Sequence, residues 1–395
     1  MNPSVKKLSV LIGIAFVDMI GFAMIFPLLP FYALRLEASP ATIGWMIASF
    51  SIAQMASSPL WGRVSDRFGR RPALMVGLLG SSIGFLVFGF ATSIWMLFLS
   101  RIIQGAGGGT TGVAQAYIGD AVEPRERAKA LGWLSAATSA GVMIGPALGS
   151  LAANLGPEAP GILAAALCAI NLGFAWRWLP ETNVRKPRTS TDGPEPIMRS
   201  VRTVMAEVVL KPANDISKLI WIYATGMLGF MSMTAVFALF LGAEFGITER
   251  TIGYFFVYNG LVGVVMRAVL LGPLVDRFGE VRLMRAGALI MTLGLLLLPL
   301  TQSVWMVAAV MGLVPVGTAL LFPATSALVT HRAPAHERGQ VLGVQQTFGG
   351  VARVFAPIWA TYVFQIGTRL PFLVAAGVVA GVGILTLRVR STESG

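Results

Sequence analysis

Four charged residues lie where charge is costly. Asp18, Arg101, Arg267 and Arg353 each fall deep inside a long apolar stretch. A charge at the centre of a hydrocarbon layer costs about 3 kcal/mol or more, so such residues are kept for function or for internal pairing. Among eighteen acids, Asp18 is the one plainly inside such a stretch. It stands about ten residues in, and at roughly 1.5 Å per residue that is ~15 Å deep. Burial disfavours an ionised carboxylate and a nearby arginine favours it, so a carboxyl placed there can exchange between its two states. Asp18 is therefore the candidate proton site, with Arg101 as its candidate counter-charge. A static, hydrogen-bonded aspartate that stabilises its helix is the other reading, and Glu244 is a weaker second acid.

Arg267 and Arg353 pose a different question. Ser57 and Val142 occupy the corresponding positions of an internal repeat described below, so neither arginine is a requirement of the repeated unit. Three arginines against one aspartate leave the interior positive, which disfavours a purely cationic ligand. This points to a substrate with an anionic or zwitterionic group, or to a lipid-like amphiphile. Snorkelling, pairing with helix-end carbonyls, or a part in the coupling machinery remains open as the alternative role for each arginine.

The elements that carry these residues are duplicated. Gly62-Arg63-Val64-Ser65-Asp66-Arg67-Phe68-Gly69 returns about 210 residues later as Gly272-Pro273-Leu274-Val275-Asp276-Arg277-Phe278-Gly279. The register extends to Ile43-Gly44 with Ile252-Gly253, Gly84 with Gly294, and Trp95-Met96 with Trp305-Met306. Glu126-Arg127, Leu131-Gly132 and Pro146 likewise match Glu337-Arg338, Leu342-Gly343 and Pro357. A period near half the chain is a duplicated unit. In a membrane protein, such parallel repeats point to a secondary transporter with its site between the halves.

The chain is 55% hydrophobic and 12% charged, with mean hydropathy +0.74, which excludes an ordinary soluble domain of 395 residues. Twelve stretches are long enough to cross a membrane. They run at about 8–34, 41–61, 73–93, 95–119, 129–153 and 160–179, then 216–243, 250–272, 282–300, 303–328, 339–364 and 370–388. With both termini inside, 24 Lys and Arg fall on the inner segments, three (Arg35, Arg250, Arg369) outside and three within spans. That asymmetry sets the orientation. The formal charge of +12 then reflects contact with an anionic inner leaflet, and no nucleic-acid partner is expected.

The first stretch follows Lys6-Lys7 as a signal peptide would, yet it is too long for one and lacks an Ala-x-Ala site, so it is expected to remain as a helix. The lone Cys168 permits no intramolecular disulfide. Residues 1–180 and 216–395 are read as two bundles joined by a cytoplasmic linker over 181–215, Pro-rich from Pro187 to Pro196. Within it, Ile197, Val201, Val204, Met205 and Val208 recur at helical spacing opposite Arg199 and Arg202. That pattern fits a short interfacial helix or an ordinary solvated connector.

Two apparent motifs are set aside. Gly107-Gly108-Gly109-Thr110-Thr111-Gly112 matches G-x-G-x-x-G, but lies in an apolar helix without the strand that a dinucleotide site needs. No phosphate-binding Gly-x4-Gly-Lys-Ser/Thr occurs, and His331 and His336 sit beside Arg332 and Arg338 in an inner loop, a poor place for a metal. No enzymatic activity, metal or cofactor is expected.

At these motifs the chain resembles the major facilitator superfamily, and within it the twelve-helix drug:proton antiporters that include tetracycline exporters. The resemblance spans essentially the whole chain. It rests on Gly62 to Leu74 with Asp66, Arg67, Gly69, Arg70 and Arg71, where Val64 replaces the usual Leu, and on Arg101-Ile-Ile-Gln104-Gly105-Ala-Gly107. It rests also on Gly141-Val-Met-Ile-Gly145-Pro146-Ala-Leu-Gly149, with Ser150 in place of a second Gly, and on Asp18-Met-Ile-Gly21 followed by Pro27-Leu-Leu-Pro30. The implied fold is an all-α integral membrane protein with twelve transmembrane helices in two pseudo-symmetric six-helix bundles.

The implied roles have physical reasons as well. Asp66 follows the second span, where a carboxylate can meet free N–H groups at the start of the eleventh. Asp120, at the end of the fourth span, is placed to pair with Arg67, Arg70 or Arg71. Asp66, Arg70 and Asp120 would then latch the cytoplasmic side shut; mere enforcement of orientation is the competing account. Gly141, Gly145 and Gly149 allow close helix approach and Pro146 favours a bend. The resemblance implies that this helix blocks a leak pathway, against plain tight packing.

Phe22, Phe26, Gln104, Tyr117, Tyr258, Asn259, Arg267, Gln345, Gln346 and Arg353 are the candidate cavity residues. Trp95, Trp305, Trp176 and Trp178 fit interfacial anchors. The expectation is a monomeric exporter of small amphipathic molecules in a bacterial inner membrane, with the proton as coupling ion and lipid as its surroundings. An organic-anion facilitator or importer and a flippase of a lipid-like amphiphile are the alternatives.

Overall fold

The computed structural model describes residues 3–108, 110–182 and 200–389, without the side chains of 3–7 and Thr110. The described residues hold helices and no strand. The first half contains α1 (Pro3–Ile25), α2 (Leu29–Arg35), α3 (Pro40–Phe68), α4 (Arg70–Gly89), α5 (Ile94–Gly107), α6 (Thr110–Ala121), α7 (Arg127–Ala153) and α8 (Ala159–Trp178). After α9 (Val201–Leu210) come α10 (Asp215–Phe245), α11 (Ile252–Val265), a π-helical turn (Met266–Leu270) and α12 (Leu271–Phe278). The remainder is α13 (Glu280–Leu297), α14 (Val304–Met311), α15 (Leu313–Arg332), α16 (Arg338–Ile366) and α17 (Leu370–Leu387).

Each of the twelve expected spans coincides with one of these helices or with a broken pair. Nine satisfy length and apolarity outright. The other three correspond to α3, the α5–α6 pair and α16. The first span breaks between α1 and α2 at Phe26–Leu28, where Pro27 has no N–H to give and Pro30 sits in the next first turn.

Local chemistry repeats with the sequence. Ser93 Oγ accepts from Met96 N at 3.4 Å and Ser303 Oγ from Met306 N at 3.3 Å, so both copies start their helices with the same cap. Gly69 and Gly279 end their loops at φ 108° and 74°, a left-handed conformation that a side chain resists.

Helix α4 shows why this is a membrane fold. Its inner face buries Leu74, Leu78, Phe85 and Phe88. Its outer face presents Val76, Leu79, Ile83 and Leu86, all more than 40% exposed. A helix apolar on both faces finds a suitable solvent only in lipid.

Contacts divide the chain into two compact units. One comprises the described residues of Met1–Pro187 together with Leu241–Gly260; the other comprises those of Arg188–Phe240 and Leu261–Gly395. In the first, α1 packs on α7 and α8, and α4 on α5 and α8. The end of α10 and the start of α11 belong to this unit. In the second, α13 packs on α15 and α17, and α9 on α16. Val204 and Val208 of α9 are buried, and the Trp221 indole donates to the Val208 carbonyl at 3.0 Å. Ile197, Arg199 and the Pro187–Pro196 stretch lie outside the described residues.

Candidate functional site

Asp18 opens into a cavity of about 350 Å³ within the first unit, lined by Ile14, Leu74, Leu78, Gln115, Ser135 and Thr138 among others. The lining comes from α1, α4, α6 and α7. Among the described residues no hydrogen bond or ion pair reaches its carboxylate. Asn171, buried on α8, donates to the Ile14 carbonyl at 2.9 Å, one turn before Asp18, and so ties this part of α1 in place. Gln115, Ser135 and Thr138 escaped the sequence reading. Their faint signal is that Thr111 with Gln115, and Ser135 with Thr138, share helix faces at i,i+4 and i,i+3.

Arg101 is not the partner of Asp18 in this structure. It is 1% exposed, donates from Nη1 to Gln104 Oε1 at 2.6 Å, and lies 4.8 Å from the centre of the Phe50 ring. Its charge is met by an amide dipole and an aromatic face. The reason is directional: Arg101 points from α5 towards α3, whereas Asp18 faces the α4–α6–α7 side of α1. Gln104 is accordingly committed to Arg101 and packs under Gly84.

Phe22 and Phe26 extend the aromatic layer. Phe22 lies 5.0 Å from Phe50 and 6.2 Å from Phe26, which meets Phe256 edge-on at 6.4 Å. Tyr117 is fully buried and its hydroxyl donates to the Pro180 carbonyl at 2.9 Å. It secures the end of α8 and is not among the residues lining the cavity at Asp18. Tyr258 is partly exposed, and the Asn259 side-chain oxygen is buried without a partner.

The loop motif forms an ion cluster. Arg70 Nη1 lies 2.6 Å from Asp66 Oδ1 and donates to Ser65 Oγ at 2.6 Å, while its Nε donates to Asp120 Oδ2 at 3.0 Å. Arg67 stacks near Phe68 instead, and Arg71 donates to the Trp176 carbonyl. The sequence reading missed Glu181. Its two oxygens accept from Arg70 N at 2.9 Å and Arg71 N at 3.1 Å, filling the anion position at the start of α4. A side chain at Gly69 would strike that carboxylate.

In the second copy the Arg70 and Asp120 positions change charge, while Asp276 keeps the acid of Asp66. Glu280 takes the place of Arg70 at the start of α13, and His331 Nδ1, at the end of α15, lies 3.4 Å from Glu280 Oε2. His331 stands in the last turn of α15 close to Glu280, with its side chain 63% exposed and so solvated as expected.

Gly141, Gly145 and Gly149 face α1. A Cβ at these positions would come within 2.6 Å of Phe16 O, 2.7 Å of Ile20 O and 2.5 Å of Met24 O. The stripe therefore brings α7 onto the backbone of the helix that carries Asp18. A different edge of α7 meets α11: Gly253 lies on the Pro146 carbonyl and Gly260 against Met143.

In the second unit, Arg267 sits in the π-helical turn and Gln345 is wholly buried. Gln346 Nε2 donates to the Tyr223 hydroxyl at 3.3 Å. Arg353 lies mid-way along α16 with its Nε buried and unpartnered.

The family model described as Major Facilitator Superfamily matches residues 11–270 and 219–395. The chain belongs to this superfamily. It is an integral membrane transporter and not an enzyme. The superfamily chain is 31% identical over 382 residues to "Multidrug resistance protein 1" of Bacillus subtilis (strain 168), covering 95% of this chain and 94% of the relative. It is 27% identical over 368 residues to "Tetracycline resistance protein, class B" of Escherichia coli, covering 92% and 89%. Among solved structures it is similar in fold to a bacterial homolog of the human lysosomal transporter Spinster, at TM-score 0.78 and 17% identity over the full length of both chains.

Proposed function

We propose that this major facilitator protein is a proton-coupled exporter of small amphipathic molecules, drugs among them. It works as a monomer by alternating access in a bacterial inner membrane, with both termini cytoplasmic. The substrate carries an anionic or zwitterionic group. The names of the two relatives support export of drugs.

The carrying observation is Asp18: a mid-span carboxyl without counter-ion or hydrogen-bond partner among the described residues, open to a cavity large enough for water and a small ligand. Such a group binds a proton when the surroundings are apolar and releases it when water or a cation enters. Proton and substrate each bias the same conformational equilibrium, and competition for one protonation state couples them. The Asp66–Arg70–Asp120 cluster serves as the cytoplasmic latch in this scheme.

Proteoliposomes test it. Substrate-dependent proton flux in the unaltered protein, absent in Asp18→Asn, is the expected result. Substrate movement without proton flux in either protein overturns antiport. The outcome then favours a facilitator of organic anions, a reading that Arg267 and Arg353 support, or a lipid flippase.

A further inference from the structure

We propose that Arg267, Arg353 and Gln345 form a subsite in the second unit for the oxyanion head, such as a carboxylate, of an amphipathic substrate. This deepens the exporter reading and rests on it for the amphipathic nature of the ligand.

Charge balance is the first reason. The second unit's described acids are Glu207, Asp215, Asp276, Glu280 and Glu337. Asp215 and Glu280 start helices, Asp276 lies in the short α12 near its end, Glu337 immediately precedes α16 and Glu207 belongs to α9. None stands mid-span, where Arg267 and Arg353 lie. The ion pairs seen in this unit use other residues. Arg101 in the first unit differs in part: its Nη1 is received by Gln104 and its charge by the Phe50 ring, although its Nε is buried and unmet as well. The two arginines of the second unit keep charge that a bound anion would neutralise.

Unused hydrogen bonding is the second reason. Gln345 is 0% exposed, and neither its amide oxygen nor its nitrogen has a partner. Arg353 Nε is likewise buried and unmet. Buried polar atoms of this kind are normally satisfied, so unmet ones mark a place for a ligand or an ordered water. Donors from an amide and a guanidinium suit an oxyanion.

Placement is the third. Gln345, Gly349 and Arg353 occupy successive turns of one face of α16. A Cβ at Gly349 would lie 2.8 Å from the Tyr223 ring, and Gln346 is bonded to the Tyr223 hydroxyl. Helix α15 packs on both the π-helical turn that holds Arg267 and on α16. Tyr223 of α10 is the neighbour of the α16 face that carries Gln345 and Arg353, and α15 is the helix that touches both arginine-bearing segments. The π-helical turn sets the direction of Arg267: an extra residue in the turn rotates it relative to the α-helix beyond.

The test is direct binding to the full chain in lipid nanodiscs. Two fluorescent probes share a dansyl group and an undecyl chain; one ends in carboxylate, the other in trimethylammonium. The expected result is carboxylate binding tighter by about tenfold or more. Arg267→Gln and Arg353→Gln should each weaken carboxylate binding by about tenfold while leaving the ammonium probe unchanged, and Arg353→Lys should restore part of the loss. Gln345→Leu guards against misfolding as an explanation: it should weaken carboxylate binding yet raise the unfolding temperature, because it removes two unmet polar atoms. Equal binding of the two probes, or a carboxylate preference that survives both Arg→Gln changes, overturns the proposal. The assay needs no proton gradient, so loss of the antiport reading leaves its outcome intact.

Discussion

Ser150 holds Gly253 by a hydrogen bond: the Ser150 hydroxyl accepts from the Gly253 amide at 2.8 Å and donates to the Glu249 carbonyl at 2.7 Å. Glu249 also pairs through its side chain with Arg35. The serine that departs from the family's glycine thus fastens the loop before α11 to the end of α7. Ser150→Ala removes the acceptor from a buried N–H and should cost about 1–3 kcal/mol. Thermal unfolding of the purified protein checks this, and an unchanged unfolding temperature contradicts the role.

The glycine face of α7 should tolerate nothing larger. Gly145→Val places atoms where Ile20 O and Ala23 Cβ already lie within 2.7 Å of a Cβ. Overpacking of this kind costs about 1–3 kcal/mol. Because the displaced helix carries Asp18, proton flux in proteoliposomes should fall together with stability. Gly132→Ala, on an open part of the same helix, is the control and should change neither.

Within the ion cluster, the magnitudes favour Asp120 over Asp66. The Asp66 side chain is 65% exposed and that of Asp120 is 36%, while the shared Arg70 is 13% exposed. Exposed pairs contribute about 1 kcal/mol or less. A double-mutant cycle should therefore give a larger coupling energy for Arg70 with Asp120 than with Asp66. Arg70→Lys should rescue little, since one ammonium cannot reproduce the separate Nε and Nη1 contacts. Equal couplings would show that exposure does not rank these pairs.

Glu181 should matter as much as the motif residues it serves. Glu181→Gln keeps the size but removes the negative charge at the start of α4, at an expected cost of about 0.5–1 kcal/mol. Glu181→Ala removes the acceptor too and should cost more, about 1–2 kcal/mol. Denaturant titration of the two variants gives the order, and an Ala variant as stable as the unaltered protein would exclude the capping role.

The helices, the membrane and the duplication were legible in the residues alone. A chain in lipid must satisfy its backbone hydrogen bonds within each segment, so twenty apolar residues bounded by charge or proline declare a helix without outside help. The two Ser-x-x-Met caps, the paired Gly69 and Gly279, and the places of Asp18, Arg101, Arg267 and Arg353 along their helices follow from the same local rules.

Partners were a different matter. In a water-soluble helix the polar face marks what is outside; α4 is apolar on both faces, so its sequence cannot say which side meets protein. That is why Asp18 and Arg101 looked like a pair and are not one: only packing turned the arginine towards Phe50 and Gln104 and the aspartate towards the cavity. Glu181 lies 111 residues from Arg70, and Ser150 lies 103 from Gly253. No spacing rule links residues so far apart. Sequence determined which segments form long apolar helices and where along each helix every charge stands, because those depend on segment length and local bonding. Tertiary structure alone decided which charge meets which partner and which is left for a ligand, because that depends on the rotation of one packed helix against another.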